Sequence, residues 1–336
     1  MKFFPITLLL CTATYTAQAQ YLQPYTSSEG KWGFAKTNGE TVIPAKYEAA
    51  YYFDDEGLAI VGLNNKYGYV DKTGKEVIAL QYETAAPFYN GAACVGINKK
   101  LGYIDLAGKV IIPLKYDNAD KFIDGLAMVA LRDKWGYINK LGKEIVPVKY
   151  DGTDIFMDGL ARVKQEVKPT TFSKNLSAAA VKRAYKYGFV NKQGQEIIPL
   201  QYDDASVFYG EYATVAQQDK WGIIDTLNHV TVPIKYDNIL FSGSGFVIVL
   251  LGKKYGYADI KTGAEVIPPK YDWVYDFYDE PIACVKLNNK YGFIDRTGKE
   301  VIPLQYDDAT TFSNGKAWVK KDGREFYIDQ TGKELQ

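Results

Sequence analysis

The chain has 336 residues, with 40 Lys and Arg against 40 Asp and Glu, so no net field steers it toward nucleic acid or anionic lipid. One histidine and three cysteines provide no His/Cys cluster for zinc and speak against a Ser-His-Asp or Cys-His nucleophile.

At the N-terminus Lys2 supplies a positive start, Phe3 to Leu10 an apolar run, and Ala17-Gln18-Ala19 a small-residue cleavage site. Residues 1–19 are therefore expected to be a secretory signal peptide removed before Gln20. Leu10 is not small, which speaks against lipidation at Cys11. No other segment approaches the roughly 18 continuous apolar residues of a membrane helix. The mature chain is expected to be soluble and exported: periplasmic, outer-surface associated or secreted. Two cysteines then remain, Cys94 and Cys284, at the same position of distant repeats, so packing rather than disulfides is expected to hold the chain.

Residues 20–30 read as a lead-in, and 31–336 as one repeat domain. From Lys31 a phrase recurs, clearest as Lys66-Tyr67-Gly68-Tyr69-Val70-Asp71 and Lys134-Trp135-Gly136-Tyr137-Ile138-Asn139. Its lead residue falls at Trp32, Tyr67, Leu101, Trp135, Tyr187, Trp221, Tyr255, Tyr291 and, degenerate, Glu325, in steps of 35, 34, 34, 52, 34, 34, 36 and 34. A fixed period in this range marks a repeat architecture whose units bury their apolar faces against neighbours. Residues 57–91 show one unit. Gly57–Leu63 is an apolar strand, Asn64-Asn65 a turn, and Tyr67–Val70 a second strand. Asp71-Lys72-Thr73-Gly74 is another turn, and Glu76-Val77-Ile78 opens a third strand. Together they predict a three-stranded antiparallel meander, with Asp71 accepting turn N–H bonds and Gly74 taking positive φ.

The third strand ends in Tyr47, Tyr82, Tyr116, Tyr150, Tyr202, Tyr236, Tyr271 or Tyr306, each followed by Asp or Glu. Proline precedes that Tyr by three in seven of the eight units, Ala79 being the exception, and is expected at a strand end or edge. Six residues after the Tyr comes Phe53, Phe88, Phe122, Phe156, Phe208, Phe277 or Phe312, whereas Phe241 falls one place early. These rings are expected to form the inter-repeat core. Gly68 and its equivalents are expected to admit a neighbouring ring or backbone. The Lys-Trp-Gly-Tyr-Ile-Asn/Asp phrase, the Thr-Gly-Lys-Glu turn and the Ile-Pro-x-x-Tyr-Asp ending resemble tandem WG (KWG) repeats over residues 30–335. The resemblance implies an all-β tandem array, often in exported bacterial proteins, and brings no catalytic residues.

Individual function is expected where the repeats diverge. The fourth place of the Gly-Leu-Ala-x-Val strand reads Ile60, Cys94, Met128, Arg162, Thr214, Ile248, Cys284 and Trp318. It faces away from the Ala and Val environment, as either a loosely packed second face or a recognition strip. The 52-residue step holds an 18-residue basic insertion within 164–186, with Lys164, Lys168, Lys174, Lys182, Arg183 and Lys186 against Glu166. Asn175–Arg183 suits a short helix, and the loop is either a solvated excursion or a cationic contact. Trp273, Val274, Tyr275, Phe277 and Tyr278 exceed the aromatic needs of a repeat, for packing or for stacking on a ligand. His229 beside Asn228 reads as a surface turn residue. The Asp and Glu positions recur as turn chemistry, and Glu325-Phe326 marks a capping repeat.

The fold expected is all-β, about eight to nine three-stranded units of ~34 residues, an open curved stack being favoured over a closed propeller-like ring. The function expected is a non-enzymatic binding or scaffold protein of the bacterial envelope or exterior. No catalytic, metal or cofactor residue is assigned, no cofactor is implied, and the ligand-binding residues stay open. The partner would be an envelope protein or polysaccharide. The alternatives are a carbohydrate-active or carbohydrate-binding protein using surface aromatics and carboxylates, and a structural spacer. Small-angle scattering from the mature chain should give an elongated particle; a compact disc would contradict the open stack.

Overall fold

Residues 21–167, 184–243, 245–278 and 280–336 are described in the computed structural model of the protein, and all regular structure among them is β-strand. The expected signal peptide and the short helix at 175–183 lie outside the described residues. The chain divides into two compact units, Met1–Arg132 with Ile138–Lys143, and Asp133–Tyr137 with Glu144–Gln336.

The first unit opens with β1 (Leu22–Thr26), β2 (Trp32–Lys36) and β3 (Thr41–Tyr47) in one antiparallel sheet. β1 falls within the segment expected as a lead-in. β1 pairs with β2 from Leu22↔Lys36 to Thr26↔Trp32, so the first phrase already has a strand ahead of it. The next sheet orders β4 (Ala49–Ala50), β5 (Leu58–Leu63), β6 (Lys66–Asp71) and β7 (Glu76–Tyr82), and β8 (Thr84–Ala85), β9 (Ala92–Ile97), β10 (Lys100–Asp105) and β11 (Val110–Tyr116) repeat it. Full sheets thus have four strands rather than the expected three. The added strand is two residues long, too short to show alternation, and β4 joins through Ala49↔Gly62 and Ala50↔Val61. In the second unit the same order recurs in sheets beginning at Gly152, Asp204, Asn238 and Trp273, and a three-stranded sheet begins at Asp308.

Both turns behave as their residues dictate. Asn64 and Asn65 sit at φ 52° and 57°, the two positive values of a type I′ hairpin turn, which Asn tolerates. Asp71 Oδ1 accepts the N–H groups of Thr73 at 2.9 Å and Lys75 at 3.1 Å, and Gly74 takes φ 87°. That turn packs on the preceding sheet: a Cβ on Gly74 would lie 3.2 Å from the Ile43 side chain.

The glycine of the repeated phrase answers to backbone, not to a ring. Tyr67 pairs with Tyr82 and Tyr69 with Ile78, so Gly68 alone opposes the bulge formed by 79–81. A Cβ there would meet the Ile78 carbonyl oxygen at 2.5 Å and the Ala79 carbonyl carbon at 2.8 Å. Pro113, Pro147 and Pro199 occupy the same bulge over Gly102, Gly136 and Gly188. Proline therefore sits mid-strand, on the edge strand of its sheet, where a missing N–H costs no ladder bond. The last repeat gives the converse: only the Ile328↔Glu334 bridge follows its hairpin, and Phe326 replaces the glycine.

The core lies between sheets. Ile60, Tyr69, Ile78, Tyr82 and Phe88 form one buried cluster with Ala93, Val95 and Ile104 of the next sheet. Tyr69 and Phe88 meet at 4.9 Å between centroids, and the Tyr69 hydroxyl donates to Ala86 O at 2.7 Å. Analogous pairs are Phe34–Phe53, Tyr103–Phe122, Tyr137–Phe156, Phe189–Phe208, Tyr257–Phe277 and Phe293–Phe312. Phe241 is the exception. Its partner position holds Ile223, the short strand lengthens to Asn238–Phe241, and Phe241 is exposed although its strand partner Val247 is buried.

Adjacent sheets are also latched by the carboxylate that follows each invariant Tyr. Glu48, Glu83, Asp117, Asp151, Asp203, Asp237, Asp272 and Asp307 pair with Lys31, Lys66, Lys100, Lys134, Lys186, Lys220, Lys254 and Lys290 of the preceding sheet. Their second oxygens accept an N–H at 2.6–2.9 Å from Asn64, Asn98, Arg132, Glu166, Gln218, Gly252, Asn288 and Asp322 in the following hairpin. The Lys hydrogen bonds hold Asp117, Asp203, Asp237, Asp272 and Asp307 below the usual carboxylate range, and for Glu48 the Asn64 N–H does so first.

Two outcomes follow. Gly68→Ala places a methyl against backbone that cannot yield locally, and should cost at least about 2 kcal/mol, read as a lowered urea midpoint. The depressed carboxylates stabilise the fold fully above their unfolded pKa, near 4, and lose that contribution as pH falls through the lower folded values. Melting temperature should accordingly hold from pH 7 to about 5 and drop below about pH 4; a rise on acidification would contradict the latch.

Candidate functional site

The variable column does not form a free second face. Ile60, Cys94, Arg162, Ile248 and Cys284 point into the seam against the next sheet; Ile60, Thr214, Ile248 and Cys284 are buried, and Cys94, Met128, Arg162 and Trp318 are half-buried. A continuous recognition strip is therefore not what the column makes. Its one charged member, Arg162, nevertheless opens a groove of about 300 Å³ with Trp135, Asp151, Thr153, Asp154 and Tyr187.

Arg162 is held on three sides. Its Nε donates to Asp154 Oδ2 at 2.7 Å, one terminal nitrogen donates to Ala205 O on the next short strand, and the guanidinium lies 5.5 Å from the Tyr187 ring centroid. Cys94 makes a weaker version of the same reach, its Sγ lying 3.7 Å from Ala119 O. Thr153 Oγ1 donates to Arg162 O at 3.0 Å and fixes the strand beneath. Burial tends to raise Asp151, but Lys134 and the Glu166 N–H outweigh it and hold the carboxyl below its ordinary value. The groove thus offers a charged planar donor over the Tyr187 ring, with Trp135 and two carboxylates also lining it.

The hairpin at this groove carries the insertion. Leu160–Val167 and Ala184–Asn191 run eight residues each, against six in β5 and β6, and pair to Val167↔Ala184. Lys164, Gln165 and Lys186 are therefore regular hairpin positions rather than loop. Lys164 lies over the Tyr185 ring at 4.9 Å, and Lys186 donates to Asp203 at 2.6 Å. Lys168, Lys174, Lys182 and Arg183 lie outside the described residues.

The aromatic set near 273 divides. Val274 and Phe277 are core, whereas Trp273 is 43% and Tyr278 63% exposed. Trp273 stands edge-on to Tyr255 at 5.0 Å and to Tyr275 at 6.3 Å, a partly exposed aromatic ladder. His229 is an exposed turn residue whose Nδ1 lies 2.9 Å from Asp225 Oδ2, and Asn228 takes the positive φ that glycine holds elsewhere. Cys94 and Cys284 are free thiols, and no group of three or more His, Cys, Asp or Glu able to hold a metal occurs among the described residues. No described helix is long and apolar enough to cross a membrane. Sequence reasoning placed Arg162 in the column but could not rank it, because the seam that aligns it with Trp135 and Tyr187 is a contact between repeats.

The family model described as WG containing repeat matches residues 32–67, 67–100, 102–135, 135–168, 187–221, 221–255, 255–291 and 291–324. No curated protein matches the chain. Among solved structures, a eukaryotic initiation factor is 12% identical, covering 94% of this chain and 95% of that one, with a TM-score of 0.38. Hsv2p of Kluyveromyces lactis is 10% identical over 74% and 92%, with a TM-score of 0.30, and the dihydro-heme d1 dehydrogenase NirN 13% over 98% and 75%, with 0.28. Likenesses at these scores carry no argument about what the chain does.

Proposed function

Because this chain belongs to the family of WG-containing repeat proteins, whose repeat spans it from residue 32 to 324, we propose that it is a non-enzymatic binding or scaffold protein exported to the bacterial envelope or exterior. The groove at Arg162 carries the reading. There a half-buried guanidinium lies over the Tyr187 ring in a groove that Trp135 also lines, beside a lengthened hairpin. A planar cation beside rings and carboxylates suits a polyhydroxylated, acidic envelope polysaccharide, whose oxygens it can fork and whose sugar faces the rings can cover. Export rests on residues 1–19 alone, and N-terminal sequencing of the secreted chain should start at Gln20.

The partly exposed ladder of Tyr255, Trp273 and Tyr275 favours carbohydrate over protein as the second element of this reading. Titration of purified mature chain with defined acidic and neutral polysaccharides should show micromolar binding of an acidic one. Arg162→Gln should weaken it about 10- to 100-fold, the worth of a charged hydrogen bond, with circular dichroism unchanged. No binding of any envelope component at micromolar concentration would leave the spacer reading. Turnover of a glycan, abolished by one Asp or Glu substitution, would replace binding with catalysis.

A further inference from the structure

Leu101 is the only lead residue before the degenerate last repeat that is not aromatic. In β6 the Tyr67 ring crosses Gly62 so closely that a Cβ there would lie 2.9 Å from it. In β10 Leu101 crosses Gly96 the same way, its Cδ2 2.7 Å from the corresponding point, but it ends in a methyl fork where the other repeats continue into a ring. The column residue behind it is small as well. Cys94 stands where, in another repeat, Arg162 stacks on Tyr187. The corresponding place here is a cavity of about 500 Å³, against about 300 Å³ for the groove that Arg162 and Tyr187 line, and is walled by Thr84, Ala85, Phe88, Cys94, Leu101 and Ala119. At its mouth the Lys121 ammonium lies 4.9 Å from the Tyr89 ring centroid, beside Asp120.

We propose that this cavity receives an aromatic side chain, Tyr or Trp, presented by a partner protein. The repeat itself sets the occupant, since Trp32, Tyr67, Trp135, Tyr187, Trp221, Tyr255 and Tyr291 supply a ring at this position from within the chain. A ring from outside completes the seam that Leu101 leaves short, regaining dispersion contacts that an open wall forfeits. Burial pushes the Cys94 thiol up to about 11, so it remains a neutral, soft wall rather than a thiolate. Asp120 and Lys121 are placed to meet the phenol hydroxyl, the indole N–H or the partner backbone. The site depends on neither the Arg162 groove nor export.

Methyl NMR of the full chain from Gln20, titrated with N-acetyl-tyrosinamide and with N-acetyl-leucinamide as an aliphatic control, tests it. Saturable shifts of the Ala85, Leu101 and Ala119 methyls are expected, with the tyrosine probe bound about tenfold more tightly than the leucine one. Leu101→Tyr, which restores the internal ring, should weaken the tyrosine probe at least about tenfold. Cys94→Met fills the same space from the other wall and serves if the first variant does not fold. No saturation, equal affinity for the two probes, or unchanged affinity in the filled variants would overturn the assignment.

Discussion

The fold depends on the residue after each invariant Tyr. That carboxylate takes a Lys ammonium from the sheet behind it and a backbone N–H from the hairpin ahead, so one side chain fixes the offset between neighbouring sheets. Exposed ion pairs contribute little singly, but here each shares its carboxylate with a hairpin N–H that would otherwise need water. Apolar burial drives the stacking, as the shared cluster around Tyr69, Phe88 and Val95 shows. Burial is non-directional, and a thin sheet could slide on its neighbour; the latch supplies the register.

Much of this was legible. The period, the two turns, the burial of the recurring Tyr and Phe, and the close approach at Gly68 all follow from residues that must be where they are for steric reasons. Three features were not. β1 lacks the phrase that marks other units, since its partner β2 carries all of the signature. The two-residue strands are below the length at which alternation can register. The proline was expected at a strand end or edge and does lie on the edge strand, but its mid-strand place comes from the bulge opposite Gly68, where no ladder bond is required.

The site was legible only in part, for a related reason. Sequence comparison among repeats isolates what differs but treats each difference alone. Arg162 acquires meaning from Trp135, Tyr187 and Ala205, and Cys94 from Leu101, and each of those contacts joins a column residue to a lead residue or to the next sheet. The scaffold thus keeps its latch carboxylates occupied, while departures from the repeat at the seam shape the grooves at Arg162 and Cys94.

The lengthened hairpin at Leu160–Val167 shows what the latch demands of a hairpin tip. Asp151 takes its N–H from Glu166, which here belongs to a strand pair rather than to a tight turn. The carboxylate takes the amide six residues on from the start of the strand, whether that amide lies in a tight turn, as at Asn64, or within a longer strand pair, as at Glu166. At this hairpin the latch is kept although the strands run two residues longer than in β5 and β6. Added length at this tip is thus compatible with stacking, and a grafted peptide epitope would find its natural anchor there.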